Sequence, residues 1–321
     1  MTKDPVLAFV FPGQGSQSVG MLGEIAAQFP QITETFDEAS SVFGQNLWRL
    51  VCEGPAEMLG RTELTQALML TGGVALWRVW CAQTDRRPSM LAGHSLGEYT
   101  ALVAADSLQF SSAVRAVAER GRLMQEAVPA GEGAMAAILG LEDETVQAIC
   151  REMAEQQVVA AANFNSPGQI VIAGDSAAVE RAMNACLSAG ARRAMKLPVS
   201  VPSHCRLMAP AAEQFSRVLA EIEFKTPKIA VFHNADLKSY DSADDIRSAL
   251  VAQLCAPVRW TATIRELSGR GARVFAECGP GRVLSSLGRR IERKAQWAAL
   301  DTPSGLQGLL DLDSSEETSD R

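Results

Sequence analysis

Residues 91–99 read Leu91-Ala92-Gly93-His94-Ser95-Leu96-Gly97-Glu98-Tyr99, with Gly-x-Ser-x-Gly at their centre. That spacing throws a serine onto a sharp turn between a strand and a helix, with a strained backbone and an exposed hydroxyl. A side chain two positions before or after the serine would collide with so tight a turn, so both places require glycine. The flanks suit the same local fold. A short apolar strand leads in, and Leu96, Tyr99, Leu102 and Val103 give the following segment a helical apolar face. Ser95 is therefore a candidate nucleophile, on an element that needs a buried sheet behind it.

The run Val6-Leu7-Ala8-Phe9-Val10-Phe11 has the continuous apolar character of a strand buried in a parallel sheet. It stops at Pro12-Gly13-Gln14-Gly15-Ser16-Gln17, a loop rich in breakers. Helical patterns fill roughly 19 to 85. From about residue 133 the texture changes. Strands are expected at Ala134–Leu139, Val158–Ala162, Gln169–Ala173 and 191–197, with helices at 143–155 and 176–189. The order β-α-β-β-α-β is that of a ferredoxin-like unit, complete enough to sit as an insert. Beyond it come a helix near 206–221, a strand at 229–232, further helices and a strand at Val274-Phe275-Ala276-Glu277. Residues 311–321 are polar and acidic, and a disordered tail is expected there.

With 321 residues, 47% apolar and 21% charged, the chain can bury a sizeable core. No apolar run approaches the roughly 20 residues that span a bilayer. Met1-Thr2-Lys3-Asp4-Pro5 lacks the basic-then-apolar order of a signal peptide, so a cytoplasmic protein without membrane contact is expected. Seven scattered cysteines without a Cys-x-x-Cys pair read as buried free thiols. The three histidines lie far apart, without metal-ligand spacing, so no metal is expected. A net charge of −7 argues against nucleic acid and, overall, against an acidic partner. One local exception is Arg282, Arg289, Arg290, Arg293 and Lys294, which face a single acid, Glu292. Either a solvated helix face or a docking patch accounts for them.

A serine hydroxyl needs an adjacent base, most often histidine. His94 is next to Ser95, and on a tight turn its side chain points elsewhere. His233 ends the apolar Ala230-Val231-Phe232 and reads as a satisfied core or edge histidine. His204 lies in a loop where the small unit rejoins the body, a common place for a ligand site, and is the best candidate base. The oxyanion donors of such sites are the N–H after the serine, here Leu96, and one from a loop after an earlier strand. Gly13-Gln14-Gly15 is such a loop. It is not a dinucleotide fingerprint, because position 18 is serine.

Several segments together resemble the bacterial malonyl-CoA:acyl-carrier-protein transacylase family. They are Phe11-Pro12-Gly13-Gln14-Gly15-Ser16-Gln17, the Ser95 motif, Arg120-Gly121 with Met124-Gln125, and Asn163-Phe164-Asn165-Ser166-Pro167-Gly168. Ser200-Val201-Pro202-Ser203-His204-Cys205, Gln253-Leu254 with Pro257-Val258, and Glu277-Cys278-Gly279-Pro280-Gly281 complete the set. The match runs in order from about residue 5 to 305, and the acyltransferase domains of polyketide synthases share much of it.

The resemblance implies an α/β-hydrolase-like catalytic body over 1–128 and 200–310, with the ferredoxin-like subdomain at 129–199. It implies Ser95 as acyl carrier, His204 as its base and the backbone carbonyl of Gln253 as the orienting acceptor. The N–H groups of Gln14 and Leu96 would form the oxyanion hole, and Arg120 would grip the malonyl carboxylate. Taken alone, Arg120 reads as a helix-surface arginine, no different from Arg115 or Arg122. His94, Asn163 and Asn165 are secondary site candidates. The implied substrates are malonyl-CoA, a coenzyme A thioester, and acyl carrier protein, with no permanently bound cofactor; separately, the acidic tail and ordinary surface composition suit a monomer. The acidic carrier moves the Arg282–Lys294 cluster toward docking, through Arg289, Arg290 and Lys294, with Arg192, Arg193 and Lys196 as further contacts. Val201-Pro202-Ser203-His204 resembles the form of the fatty-acid enzymes rather than that of the polyketide relatives, which implies malonyl over methylmalonyl. A stand-alone polyketide acyltransferase, a serine hydrolase and a non-catalytic binding module are the rival readings.

Overall fold

Alternate residues of the first apolar run face opposite sides of a sheet. The computed structural model describes residues 6–199 and 201–317; expectations resting on 1–5, Ser200 and 318–321 lie outside the described residues. Val6–Phe11 forms strand β1, with Leu7, Phe9 and Phe11 in one apolar cluster and Ala8 and Val10 in a second. A strand buried on both faces suits a parallel sheet covered by helices. Such a sheet forms from β1, β2 (Met90–Gly93), β7 (Ala230–Phe232), β8 (Ala272–Glu277) and β9 (Gln296–Ala299). Its order is β7-β2-β1-β8-β9, every pair parallel. The edge strand β9 was not expected from the sequence, being too short to show alternation. Trp297 fixes it by stacking on Phe275, with ring centroids 4.4 Å apart.

The second sheet contains β3 (Gly133–Leu139), β4 (Val159–Ser166), β5 (Gln169–Asp175) and β6 (Arg193–Lys196). Helices Asp143–Met153 and Ser176–Ser188 connect them, and the antiparallel order is β4-β5-β3-β6. This is the ferredoxin-like βαββαβ arrangement expected from the sequence. Ala134, Ala136 and Ile138 turn toward the two helices. Met135 and Val171 turn the other way.

Two local features place that second face over the carboxyl ends of the parallel strands, where open α/β sheets bind ligands. Phe11 pairs with Gly93, so the loops after β1 and β2 leave the sheet side by side. On the small sheet, the Phe164 N–H donates to the Val258 carbonyl at 2.9 Å and the Val258 N–H to the Ala162 carbonyl at 2.8 Å. The outer edge of β4 is thereby joined to the body.

Two expectations fail. Residues 311–317 are not an irregular tail but the end of a helix, Pro303–Glu317. Thr302 caps it, accepting the Gly305 N–H at 3.2 Å, and buried Leu306 and Leu309 hold it to the core. Once packed, the helix propagates into the acidic segment. All seven cysteines are free, yet Cys52 is exposed and Cys81 and Cys255 half-buried, so only four are buried. Among the described residues no helix is long and apolar enough to cross a membrane, and no cluster could hold a metal ion.

Candidate active site

Ser95 sits at φ 51°, in the left-handed region that serine enters only under constraint. The glycine frame makes the turn possible: a Cβ at Gly93 would lie 1.8 Å from the Gly97 carbonyl carbon, and one at Gly97 would lie 2.0 Å from the Phe11 oxygen. The turn hands Ser95 Oγ to His204, whose Nε2 is 2.8 Å away.

The tautomer of His204 follows from its other nitrogen. Nδ1 is 2.9 Å from the Gln253 carbonyl and 3.2 Å from that of Ala256, and carbonyls only accept. Nδ1 therefore carries the proton, and bare Nε2 accepts from the serine hydroxyl. These acceptors lie at the carboxyl end of helix Ala243–Gln253, where unpaired carbonyls gather partial negative charge. They take the place that a carboxylate holds in a Ser-His-Asp triad. Burial, then the cation of Arg120, pulls the His204 pKa down to about 3. The imidazole is neutral, a base ready to take a proton.

Arg120 is 1% exposed, a correction to its reading as a surface arginine. Nη1 donates to Gln66 Oε1 at 2.9 Å, and Nη2 donates to Gln253 Oε1 at 2.9 Å and to Ser95 Oγ at 3.2 Å. Among the described residues it has no carboxylate partner. A buried cation hydrogen-bonded to neutral groups, beside a serine hydroxyl, has the chemistry to bind an anion. Helix Phe110–Glu126 buries Ala113, Val117, Arg120 and Met124 on one stripe, whereas Arg122 pairs outside with Glu119 and Glu126. That stripe is the sequence signal which could have distinguished Arg120 from its neighbours.

Gln14, His94, Ser95, Asn163, Asn165 and His204 line one cleft of about 190 Å³ between the two sheets. Neither the Gln14 N–H nor the Leu96 N–H has a partner among the described residues. His94 lines the cleft but turns away from the serine, with Nε2 2.9 Å from Asn165 Oδ1, and burial lowers its pKa. Three larger cavities, of 530 to 620 Å³, contain no histidine and lie apart from this chemistry.

The acyl transferase domain family matches residues 8–300. The chain belongs to the acyl transferase family. A malonyl CoA-acyl carrier protein transacylase of Escherichia coli strain K12 is 53% identical over 305 residues, 95% of this chain and 99% of that protein. The solved malonyl CoA-acyl carrier protein transacylase from Coxiella burnetii superposes with TM-score 0.95 at 47% identity, covering 96% of this chain and 98% of that one. A type II PKS acyl-carrier protein in complex with its malonyl-transacylase gives TM-score 0.94 at 51% identity, over 95% and 99% of the two chains.

Three further features of this acyltransferase escaped the sequence reading. Gln66 lies in helix Thr62–Gln83, which is buried nearly all round, so a polar side chain there was the available signal. The Gln253 side chain engages Arg120 and donates from Nε2 to the Ser95 carbonyl at 3.0 Å. Asn234, just after β7, accepts the Ser95 N–H on Oδ1 at 2.8 Å. His233 is a core histidine as expected, its Nδ1 2.8 Å from Glu98 Oε2, but it is only half satisfied, since its buried Nε2 has no partner among the described residues.

The basic residues lie outside the cleft lining. Arg192, Arg193 and Lys196 are exposed, Arg289 donates to the Trp297 carbonyl, and Arg290 donates to Gln169 Oε1 at 2.6 Å. Leu139 pairs with both Gln169 and Arg193, so Arg290, which bonds Gln169, and Arg193 lie at the same end of the small sheet.

Proposed function

We propose that this acyltransferase moves malonyl from malonyl-CoA to the phosphopantetheine thiol of acyl carrier protein through a Ser95 ester. One observation carries the reading: a buried arginine without a carboxylate partner among the described residues lies 3.2 Å from a serine already hydrogen-bonded to a neutral histidine. A plain hydrolase site has no use for that cation, whereas a dicarboxylic acyl group supplies its missing anion.

His204 Nε2 takes the Ser95 proton as Oγ attacks the thioester carbon. The Gln14 and Leu96 N–H groups receive the charge that develops on oxygen. The C–S bond breaks, His204 returns the proton to the departing coenzyme A sulfur, and malonyl remains on Ser95. In the second half the carrier thiol gives its proton to His204, its sulfur attacks the ester, and the proton ends on Ser95 Oγ. The route is ping-pong and reversible, because an ester and a thioester exchange at little cost. Malonyl pinned at both ends in a small cleft leaves water poorly placed.

The carrier serves fatty-acid synthesis in this reading. A polyketide carrier remains a second reading, favoured by the likeness to a malonyl-transacylase that binds one. Competing malonyl-, methylmalonyl- and acetyl-CoA for the enzyme in one labelling reaction should place malonyl on Ser95 in large excess; preferential methylmalonyl labelling would sink the malonyl assignment.

The acidic carrier docks on Arg192, Arg193, Lys196, Arg289, Arg290 and Lys294. Arg289 and Arg290 also make structural contacts, so Arg193 and Lys294 give the cleaner test. Reversing both charges should raise the apparent KM for carrier about tenfold at low salt, and far less at high salt, as rim charges behave. A KM change equal at both salts would remove them from the docking face.

A further inference from the structure

We propose that Asn234, tethered by Glu98, is a positioning residue that holds the strained Ser95 turn and so aims the Leu96 N–H at the acylation centre. The inference rests on the acyl-transfer reading above and concerns how the nucleophile is kept in place.

A non-glycine residue at φ 51° is strained and persists only where its surroundings enforce it. The surroundings act on both peptides that flank Ser95. In the His94–Ser95 peptide, the carbonyl accepts the Gly97 N–H at 3.0 Å and the Ser95 N–H donates to Asn234 Oδ1 at 2.8 Å. In the Ser95–Leu96 peptide, the carbonyl accepts the Glu98 N–H at 3.0 Å and Gln253 Nε2 at 3.0 Å. A peptide is planar and trans, so fixing its carbonyl fixes the opposite direction of its N–H. The Leu96 N–H is thus aimed while remaining free of any partner among the described residues.

Asn234 is in turn held. Its own N–H donates to Glu98 Oε1 at 2.7 Å, and Glu98 Oε2 is 2.8 Å from His233 Nδ1. The bonds close a ring: Ser95 to Asn234, Asn234 to Glu98, and Glu98 back to the Ser95 carbonyl. Glu98 and Asn234 are fully buried, and Glu98 pairs with no lysine or arginine among the described residues. A buried carboxylate is costly unless hydrogen-bonded, and every bond given for this one leads to the turn or to the segment that braces it. Without the Asn234 bond the Ser95 N–H is bare. The turn can then relax toward negative φ, which swings the Leu96 N–H off its target and Oγ away from Nε2.

The test is the rate of Ser95 acylation by malonyl-CoA, read by quenched mass spectrometry with melting temperature measured alongside. Asn234→Leu should slow acylation about 10²-fold, as loss of one oxyanion donor does, with KM for malonyl-CoA within about threefold because the Arg120 receptor is untouched. Glu98→Gln, which keeps an oxygen for the Asn234 N–H, should lose less than about fivefold. Should Asn234→Leu not fold, Asn234→Ser, whose hydroxyl is too short to span the gap, makes the same comparison. Acylation of the Asn234 variant at the wild-type rate, a loss expressed as KM alone, or a Glu98→Gln loss as large as that of Asn234→Leu would overturn the proposal. Wild-type enzyme in the same assay separates the two levels. If it takes no malonyl the acyl-transfer reading fails, whereas equal acylation of wild type and Asn234 variant sinks the positioning role alone.

Discussion

Ser95→Ala should leave no covalent malonyl on the protein and lower transfer by roughly 10⁴-fold or more, the scale for removing a serine nucleophile. His204→Ala should lose a comparable amount and the double variant little beyond that, because serine and histidine act as one unit. The buried imidazole adds a pH signature. With its pKa pulled down to about 3, His204 is already the neutral base wherever the enzyme works. A base is lost as pH falls through its pKa. Acylation measured as kcat/KM should therefore stay level from pH 8 to about 5, through the range where an ordinary histidine near 6.5 takes up its proton. An acid limb with its midpoint near 6.5 would contradict the assigned environment. Malonyl left on Ser95→Ala would move the nucleophile elsewhere.

Arg120→Ala should separate malonyl from acetyl. Removing a buried cation from the anion it binds costs about 3–5 kcal/mol, or roughly 10²–10⁴ in kcat/KM for malonyl-CoA. Acetyl has no carboxylate to lose, and the same change relieves His204 of the charge that depresses it and Ser95 of a competing donor. Acetyl turnover should therefore fall less than about fivefold. Arg120→Lys should recover only part of the malonyl rate, since one ammonium cannot copy the fork that spans Gln66, Gln253 and Ser95. Equal losses for both acyl groups would make Arg120 a structural residue, holding the Gln66 and Gln253 side chains and nothing more.

What could be read from the sequence was what is local. The glycines around Ser95, the continuous apolar run of β1 and the βαββαβ order each depend on residues close in the chain, and each forms as expected. The site's own geometry depends on contacts across 25 to 158 positions, which periodicity does not reveal. Arg120 shows the boundary. Its place on the apolar stripe was visible, but its anion-receptor environment needs Gln66 from another helix and Gln253 from the far end of the chain. Asn234 left no signal beyond its position at the end of a parallel strand. The acidic end of the chain misled for the opposite reason: composition argued for disorder, while two buried leucines decided for a helix.

Intact-protein mass spectrometry of the enzyme mixed with malonyl-CoA, before and after adding the thiol form of acyl carrier protein, tests the central claim. A single malonyl adduct should form on Ser95, survive in buffer and pass to the carrier on mixing. Free malonate released at the same rate with and without carrier, or an adduct the carrier cannot discharge, would contradict it.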